Sequence, residues 1–111
     1  MLELKVWKNQ KEVDRVLECE QYDLMLGTLE DVLKLFKVGD IGSEIGKLDQ
    51  KTMLSVMTKE YDKITVLLHD VFPDLTEAER KRIKAKDLIP FFMNLIAFAI
   101  GQITNINTGK N

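Results

Sequence analysis

The chain has 111 residues, of which 45% are hydrophobic and 31% charged, and its formal net charge is −2. This length allows one hydrophobic core and not two, so we expect a single globular domain over residues 1–111. The small net charge gives no electrostatic reason to expect binding to nucleic acid or to an anionic membrane, and the single cysteine, Cys19, excludes an internal disulfide and suits a reducing cytosol.

The N-terminal part of the chain is predicted to form a β-hairpin over residues 2–19. In its first arm, hydrophobic residues occur at the two-residue period of a strand, namely at Leu2, Leu4 and Val6. The polar residues 8–11 can turn the chain back. Residues 12–19 fit either a strand or a helix, and we assign them to the second strand. Because an isolated hairpin is only marginally stable in water, it should pack on the helices or pair with another chain.

Hydrophobic residues at helical spacing predict two helices in the middle of the chain. The first is predicted over residues 24–36. A glycine-containing connector over about residues 38–48 separates it from the second and longest helix, which is predicted over residues 49–72. One face of this long helix carries Leu54, Met57, Tyr61, Ile64, Leu68 and Val71. Further hydrophobic residues beside this face indicate that the helix could pack against two neighbours.

A short third helix is predicted over residues 77–84, because Thr76 and Glu79 have the spacing of a capping box. The basic cluster, residues 80–86, contains five Lys and Arg side chains and is the best indication of nucleic-acid binding in the chain. Acidic residues nearby dilute its charge, however, and no aromatic residue lies within it to stack on a base. A solvent-exposed helix face is therefore the favoured interpretation.

The last helix is predicted over residues 88–103 and contains no charged residue. Asp87 can cap its N-terminus, and Pro90 falls in the first turn, where its missing N–H is not needed. The helix is about 24 Å long at 1.5 Å per residue, which is too short for a hydrocarbon layer of about 30 Å. It must therefore be buried on most of its surface, against the rest of the chain or against a partner.

Two interpretations of this apolar helix remain open, and they are compatible with each other. Such helices are usually the centre of a small domain's core. Its Phe and Met side chains, however, also suit the capture of an apolar helix from a partner. If one face serves as an interface, the candidate partner-binding residues are Phe91, Phe92, Leu95, Ile96, Phe98, Ala99 and Ile103.

No arrangement of residues in the sequence supports catalysis or cofactor binding. The glycines before Lys47 lack the spacing of a phosphate-binding loop, and Leu48 stands where such a loop has Ser or Thr. His69 is the only histidine, and it has too few potential partners for a transition-metal site. Cys19 and His69 could act as a nucleophile and its base only with an orienting third group, which no motif supplies. We therefore expect no enzymatic activity, no cofactor, no metal and no small-molecule substrate.

Three segments carry a resemblance to a known family. They are Tyr-Asp-Leu-Met-Leu-Gly-Thr-Leu-Glu-Asp-Val-Leu at 22–33, Val-Phe-Pro-Asp-Leu-Thr at 71–76 and Ile-Lys-Ala-Lys-Asp-Leu-Ile-Pro at 83–90. The predicted elements follow the order hairpin, helix, connector, long helix and apolar helix. In these segments and in this order, the chain resembles the tail assembly chaperones of long-tailed bacteriophages that infect Gram-positive hosts. The resemblance covers nearly the whole chain and implies a small, mainly helical, non-enzymatic protein.

The resemblance implies that the protein binds the tape measure protein and keeps it soluble until the tail tube polymerises around it. It also implies a location in the cytoplasm of the bacterial host and not in the mature virion. The charged residues near the N-terminus agree with a cytoplasmic location, because they interrupt any apolar leader. A structural tail or connector component of the virion is the alternative. The excess of apolar surface predicts a homo-oligomer. The expected fold is mainly α, with four helices and a small N-terminal β-hairpin.

The residues after Ile103 are small and polar, and we expect them to form an exposed tail. Members of the family often have a longer product made by a −1 ribosomal frameshift near this end. Residues 108–111 are compatible with a slippery coding sequence, and an exposed tail would tolerate such an extension.

Overall fold

The computed structural model describes residues 1–36 and 50–108, with the backbone alone at residues 50, 52 and 103–108. The predicted glycine-containing connector lies outside these residues. In chain order the described elements are β1 (Leu2–Trp7), β2 (Val13–Cys19), a 3-10 turn (Gln21–Asp23), α1 (Leu26–Leu35), α2 (Gln50–Lys59), α3 (Tyr61–Val71), α4 (Glu77–Arg80) and α5 (Ala85–Thr108). The fold is mainly α-helical with an antiparallel N-terminal hairpin, which confirms the predicted fold class.

The hairpin has the predicted polar turn and an apolar inner face. Its strands pair with Leu4 opposite Leu17. In the turn, the side-chain Oδ1 of Asn9 accepts hydrogen bonds from the backbone N–H groups of Lys11 and Glu12, at 2.8 and 2.9 Å. The buried residues of the inner face are Leu2, Leu4, Val6 and Leu17. They join the helical core, and β1 packs on α5, which confirms that the hairpin lies on the helices.

The helix α5 is the centre of the core, since β1, α1 and α2 all pack on it. Four of its side chains have no exposed surface, namely Phe92, Leu95, Ile96 and Ala99. The ring centroid of Phe92 lies 5.5 Å from that of Phe36, and the ring centroid of Phe91 lies 5.7 Å from that of Phe72. Burying one large apolar side chain contributes about 1.5–3 kcal/mol, so α5 supplies much of the free energy that favours folding.

The long helix predicted over residues 49–72 is two helices, and the prediction of a continuous helix is wrong. α2 ends at Lys59 and α3 begins at Tyr61, with Glu60 between them at φ −113° and ψ 38°. The break allows α2 to contact α5 while α3 packs on α1. The hydrophobic spacing continues through Glu60, so the sequence pattern carries no sign of the break.

The helix α4 is shorter than predicted. It opens with the predicted capping box, in which the Thr76 hydroxyl accepts a hydrogen bond from the N–H of Glu79 and the Glu79 carboxylate accepts one from the N–H of Thr76, both at 3.1 Å. The helix ends at Arg80 instead of residue 84. It ends there because the N–H of Arg82 turns back to the carbonyl of Glu79, at 2.9 Å, and the chain changes direction before α5.

The helix α5 is longer than predicted at both ends. It begins at Ala85, so Asp87 lies in its first turn and is not its N-cap. The Asp87 carboxylate instead accepts a hydrogen bond from the indole N–H of Trp7, at 2.8 Å. The backbone stays helical through Thr108, so the helix end predicted at Ile103 is wrong. The predicted exposure of the residues after Ile103 lies outside the described side chains.

A set of polar contacts fixes the turn end of the hairpin to the segment between α4 and α5. The carbonyl of Arg82 accepts a hydrogen bond from the N–H of Trp7, at 2.9 Å. The guanidinium of Arg82 donates to the carbonyl of Trp7 and to the carboxylate of Asp14, each at 3.0 Å. The ammonium of Lys84 donates to the carbonyl of Gln10 at 2.7 Å and lies 3.5 Å from the centroid of a Trp7 ring. We refer to these contacts as the hairpin clamp.

A second contact joins β2 to α4. The guanidinium of Arg15 donates two hydrogen bonds to the carboxylate of Glu79, at 2.6 and 2.9 Å. The bonds from Arg15, together with the bond from the backbone N–H of Thr76, lower the pKa of Glu79 from 4.5 to about 2. The folded state therefore holds this carboxylate in its charged form more strongly than the unfolded chain does.

The pKa of Glu79 predicts an acid-dependent part of the stability. Because its pKa is lower in the folded state, its contribution is complete above about pH 4.5 and is lost as the pH falls towards 2. Between these values we expect the melting temperature of the parent to fall more steeply than that of Glu79→Gln, measured by circular dichroism. Glu3→Gln, on the exposed side of β1, is the control and should follow the parent. Parallel curves for the parent and Glu79→Gln would contradict this prediction.

Candidate binding groove

The candidate partner-binding residues of α5 do not form a common exposed surface. Five of them are core residues with at most 3% of their surface exposed, namely Phe91, Phe92, Leu95, Ile96 and Ala99. These five cannot contact a partner while the chain is folded, and their assignment to an interface is corrected to one in the core. Phe98 is half-buried, with its ring centroid 5.2 Å from that of Tyr22. The side chain of Ile103 lies outside the described residues.

The solvent side of α5 offers little apolar surface. Among residues 89–102, whose side chains are described, the exposed positions are Pro90, Asn94, Ala97 and Gly101. All four residues are small or polar. An apolar partner would therefore find its binding surface elsewhere on the described part of the molecule.

An open groove of about 640 Å³ lies between the pair α2–α3 and the segment that leads from α4 into α5. Its apolar lining consists of Leu54, Met57, Tyr61, Ile64, Leu68, Ile83, Ala85 and Leu88. The first five of these residues belong to the hydrophobic face predicted for the long helix. The groove therefore takes most of its apolar lining from that face.

The groove combines a buried base with exposed sides. Met57, Ile64 and Leu68 have 3–8% of their surface exposed and belong to the core. Leu54 and Tyr61, at 41% and 55%, are large hydrophobic residues that remain in contact with water. Covering such side chains with a partner recovers part of the free energy of apolar burial. The groove can thus gain stability from an apolar occupant without opening the core.

The polar side chains of the groove are mostly occupied within the protein. The hydroxyl of Thr58 donates to the carbonyl of Leu54 at 2.8 Å, and the hydroxyl of Thr65 donates to the carbonyl of Tyr61 at 3.0 Å. Both hydroxyls thus bond to their own helices. The lining has two charged residues, and both are cations: Arg80 is half-buried and Lys81 is exposed.

Arg80 crosses one end of the groove from α4 to α3. Its Nη1 donates a hydrogen bond to the Tyr61 hydroxyl, and its guanidinium lies 5.6 Å from the centroid of the Tyr61 ring. Its Nη2 lies 3.6 Å from the exposed carboxylate of Glu77. The Nε atom of Arg80 is buried and has no hydrogen-bond partner among the described residues. Arg80 therefore keeps one unsatisfied donor at the groove.

A second groove, of about 410 Å³, lies between α1 and α3. It exposes one large hydrophobic side chain, Val66, at 59%. The charged residues that line it carry both signs: Asp31, Lys34, Asp62 and Lys63. Because charged groups would have to lose water around a single apolar contact, this groove is a poorer docking surface.

The basic cluster, predicted as a solvent-exposed face, has a structural role. Arg82 and Lys84 are half-buried in the hairpin clamp, and Arg80 is half-buried against Tyr61. Only Lys81 and Lys86 of the cluster are exposed. The cluster thus presents fewer free cations than the sequence suggests, because three of the five bind within the chain.

The groups with catalytic potential are not assembled into a site in the described residues. Burial, followed by the charges of Asp23 and Glu20, raises the pKa of the Cys19 thiol, whereas nucleophilic cysteines have a lowered pKa. The described residues contain no group of three or more His, Cys, Asp or Glu side chains arranged to hold a metal ion. Nor does any helix in the described ranges have the length and hydropathy to cross a membrane.

The role of the basic cluster in the hairpin clamp predicts an outcome for nucleic-acid binding. Because only Lys81 and Lys86 of the cluster are exposed, we expect no salt-sensitive binding of duplex DNA by micromolar protein, measured by fluorescence anisotropy at low ionic strength. Steeply salt-dependent binding that the double variant Lys81→Glu, Lys86→Glu abolishes would contradict this expectation. Both residues are exposed, but the ammonium of Lys86 lies 5.7 Å from the centroid of a Trp7 ring. The melting temperature of the variant therefore serves as the check that the clamp is intact.

Comparisons with protein-family models, with curated proteins and with solved structures find no match to this chain. The resemblance to phage tail assembly chaperones therefore rests on the three sequence segments and stays a prediction.

Proposed function

We propose that this protein is a bacteriophage tail assembly chaperone that binds apolar helical surfaces of the tape measure protein and keeps them soluble during tail assembly. It acts by binding and not by catalysis. The observation that carries the proposal is the groove between α2–α3 and the α4–α5 segment, where Leu54 and Tyr61 stand exposed beside a buried apolar base.

Two of the segments that carry the resemblance lie at structurally important places. In the segment 71–76, Phe72 and Leu75 are buried, and the N–H of Leu75 bonds to the carbonyl of Phe72 at 3.0 Å. The segment 83–90 forms the beginning of α5 and contributes Ile83 and Leu88 to the groove. The motifs on which the proposal draws thus include part of the surface to which we assign binding.

Binding of this kind is reversible, because it uses a surface that is stable when empty. The buried base of the groove is part of the core, so the groove exists before a partner arrives. A partner gains only the burial of the exposed side chains and of its own apolar stripe. Release then needs no nucleotide hydrolysis, since polymerising tail subunits can compete for the same stripe.

A second group of exposed apolar residues supports a homo-oligomer as part of the proposal. It lies around the 3-10 turn and the start of α1 and consists of Tyr22, Met25 and Leu26, exposed at 72%, 76% and 48%. Together with the groove it gives the described surface two places where large apolar side chains remain in water. Self-association through this second patch would leave the groove open for the tape measure protein.

The proposal includes a location in the cytoplasm of the bacterial host, where the tape measure protein is made. It includes no contact with nucleic acid or membrane. The alternative, a structural tail or connector protein, would remain in the finished particle.

Substitution of an exposed groove residue tests the proposed binding surface. We expect Leu54→Asp to abolish the solubilisation of the co-expressed tape measure protein, because it places a charge in the apolar groove. The stability of the chain should change by no more than about 1 kcal/mol, since the position is partly exposed. The readouts are the soluble fraction of the tape measure protein and the unfolding curve of the variant.

Val16→Asp is the matched control for this experiment. Val16 is 43% exposed, close to Leu54 at 41%, but it lies on the hairpin opposite Lys5, where an added carboxylate meets an opposite charge. It should leave solubilisation unchanged. Phe92→Asp should instead cost more than about 4 kcal/mol and unfold the chain. Equal solubilisation by the parent and a folded Leu54→Asp variant would refute the assignment of the groove.

The fate of the protein after assembly separates the chaperone from the structural alternative. A chaperone leaves when the tail tube covers the tape measure protein, so mass spectrometry of purified virions should detect no stoichiometric amount of this chain. The tape measure protein in the same sample is the positive control. Recovery of the chain at the copy number of a tail component would replace the proposal with the structural alternative.

A further inference from the structure

We propose that the occupant of the groove is an amphipathic α-helix with carboxylates along one flank, which lie against Arg80 and Lys81. This inference rests on the proposed function, because it specifies which segments of a partner the groove would select. It follows from the hydrogen-bonding state of the groove's polar groups and from the sign of its charges.

The hydrogen bonding of the groove favours a helix over an extended peptide. An extended segment needs partners for its backbone N–H and C=O groups once water is removed. The hydroxyls of Thr58 and Thr65 both donate to carbonyls of their own helices, and the other lining side chains of α2 and α3 are apolar or, for Tyr61, already bonded to Arg80. A helix satisfies its own backbone and presents only side chains, so it can enter this groove without such a loss.

The length of the groove sets the length of the helix. Its lining on α2 and α3 extends from Leu54 to Leu68, which is about 20 Å along a helix. A partner helix of about four turns matches this length. Its apolar residues would need the three- and four-residue spacing of an amphipathic stripe.

The charges of the groove specify the flank of that helix. The lining contains Arg80 and Lys81 and no acidic residue, although the chain as a whole has a net charge of −2. Lys81 is exposed, and no carboxylate of the described residues forms an ion pair with it. The buried Nε of Arg80 has no acceptor among these residues. Lys81 can therefore form an ion pair with a carboxylate from a partner. The guanidinium of Arg80 adds a second positive charge to the same lining.

A separate pocket with negatively charged residues shows that the positive charge of the lining is confined to the groove. A shallow pocket between β2, the 3-10 turn and the end of α3 is lined by five acidic residues: Glu18, Glu20, Asp23, Asp70 and Asp74. A partner with a basic flank would be attracted there and repelled at the groove. Where a helix binds would thus depend on whether the charges along its flank are positive or negative.

The inference is tested with two synthetic helical peptides on the full chain. Both carry the same leucine stripe on an alanine background, and one has glutamates and the other lysines along one flank. Fluorescence anisotropy at low ionic strength should give about threefold tighter binding of the glutamate peptide, the scale of one exposed ion pair. This order is opposite to the one that the net charge of −2 predicts. Salt should reduce the difference.

The decisive variant is Lys81→Glu, which should reverse the preference between the peptides. Lys11→Glu, an equally exposed lysine in the hairpin turn, is the control with the same change in net charge and should leave the preference unchanged. A lysine-peptide preference in the parent, or a glutamate preference that Lys81→Glu does not alter, would overturn the inference.

The remaining outcomes separate this inference from the proposed function. If both peptides bind equally and Leu54→Asp abolishes this binding, the inferred preference for an acidic flank is overturned. The groove then remains the docking site. No binding of either peptide would overturn both proposals. A dimer detected by light scattering, sensitive to Lys81→Glu and dissociated by the glutamate peptide, would make a second copy of the chain the occupant and overturn the inference of a separate partner.

Discussion

The core-facing side chains in the middle of α5 have no polar group to offer to water, and folding removes them from it completely. Phe92 and Leu95 have no exposed surface. No single neighbouring element could cover them completely. The inner face of the hairpin, α1 and α2 each cover a different part of α5. Each of these elements is in turn too small to be stable alone. The fold is therefore cooperative, because every element buries its own apolar face by covering α5.

Apolar burial alone does not determine how the hairpin lies on the helices. The orientation depends on the hairpin clamp and on the ion pair between Arg15 and Glu79, which hold the turn end and the β2 strand at separate points. Hydrogen bonds have strict distance and angle requirements, whereas apolar contacts have few. Much of the basic cluster is thus used to position the hairpin. This use leaves the electrostatic surface weaker than the sequence suggests.

The groove is a consequence of how the long hydrophobic face is divided at Glu60. On either side of the break, α2 turns towards α5 and α3 towards α1. Tyr61, directly after the break, and Leu54, six residues before it, remain exposed. A monomer gains nothing from this exposure, since each such side chain forgoes burial. The exposure becomes useful only if another molecule covers it, and this is the physical basis of the proposed chaperone function.

The sequence by itself determined those elements that a local pattern specifies: the strand alternation at Leu2–Trp7, the capping box before α4 and the charge-free run at 88–103 within α5. It also showed that the face carrying Leu54 and Tyr61 was wider than one neighbour needs. Only the tertiary structure decided which apolar residues are core and which are free, because an apolar side chain looks the same in sequence whether the chain or a partner covers it. The tertiary structure also decided the break at Glu60 and the residues of the chain that the basic cluster contacts. Both depend on contacts between residues far apart in the chain.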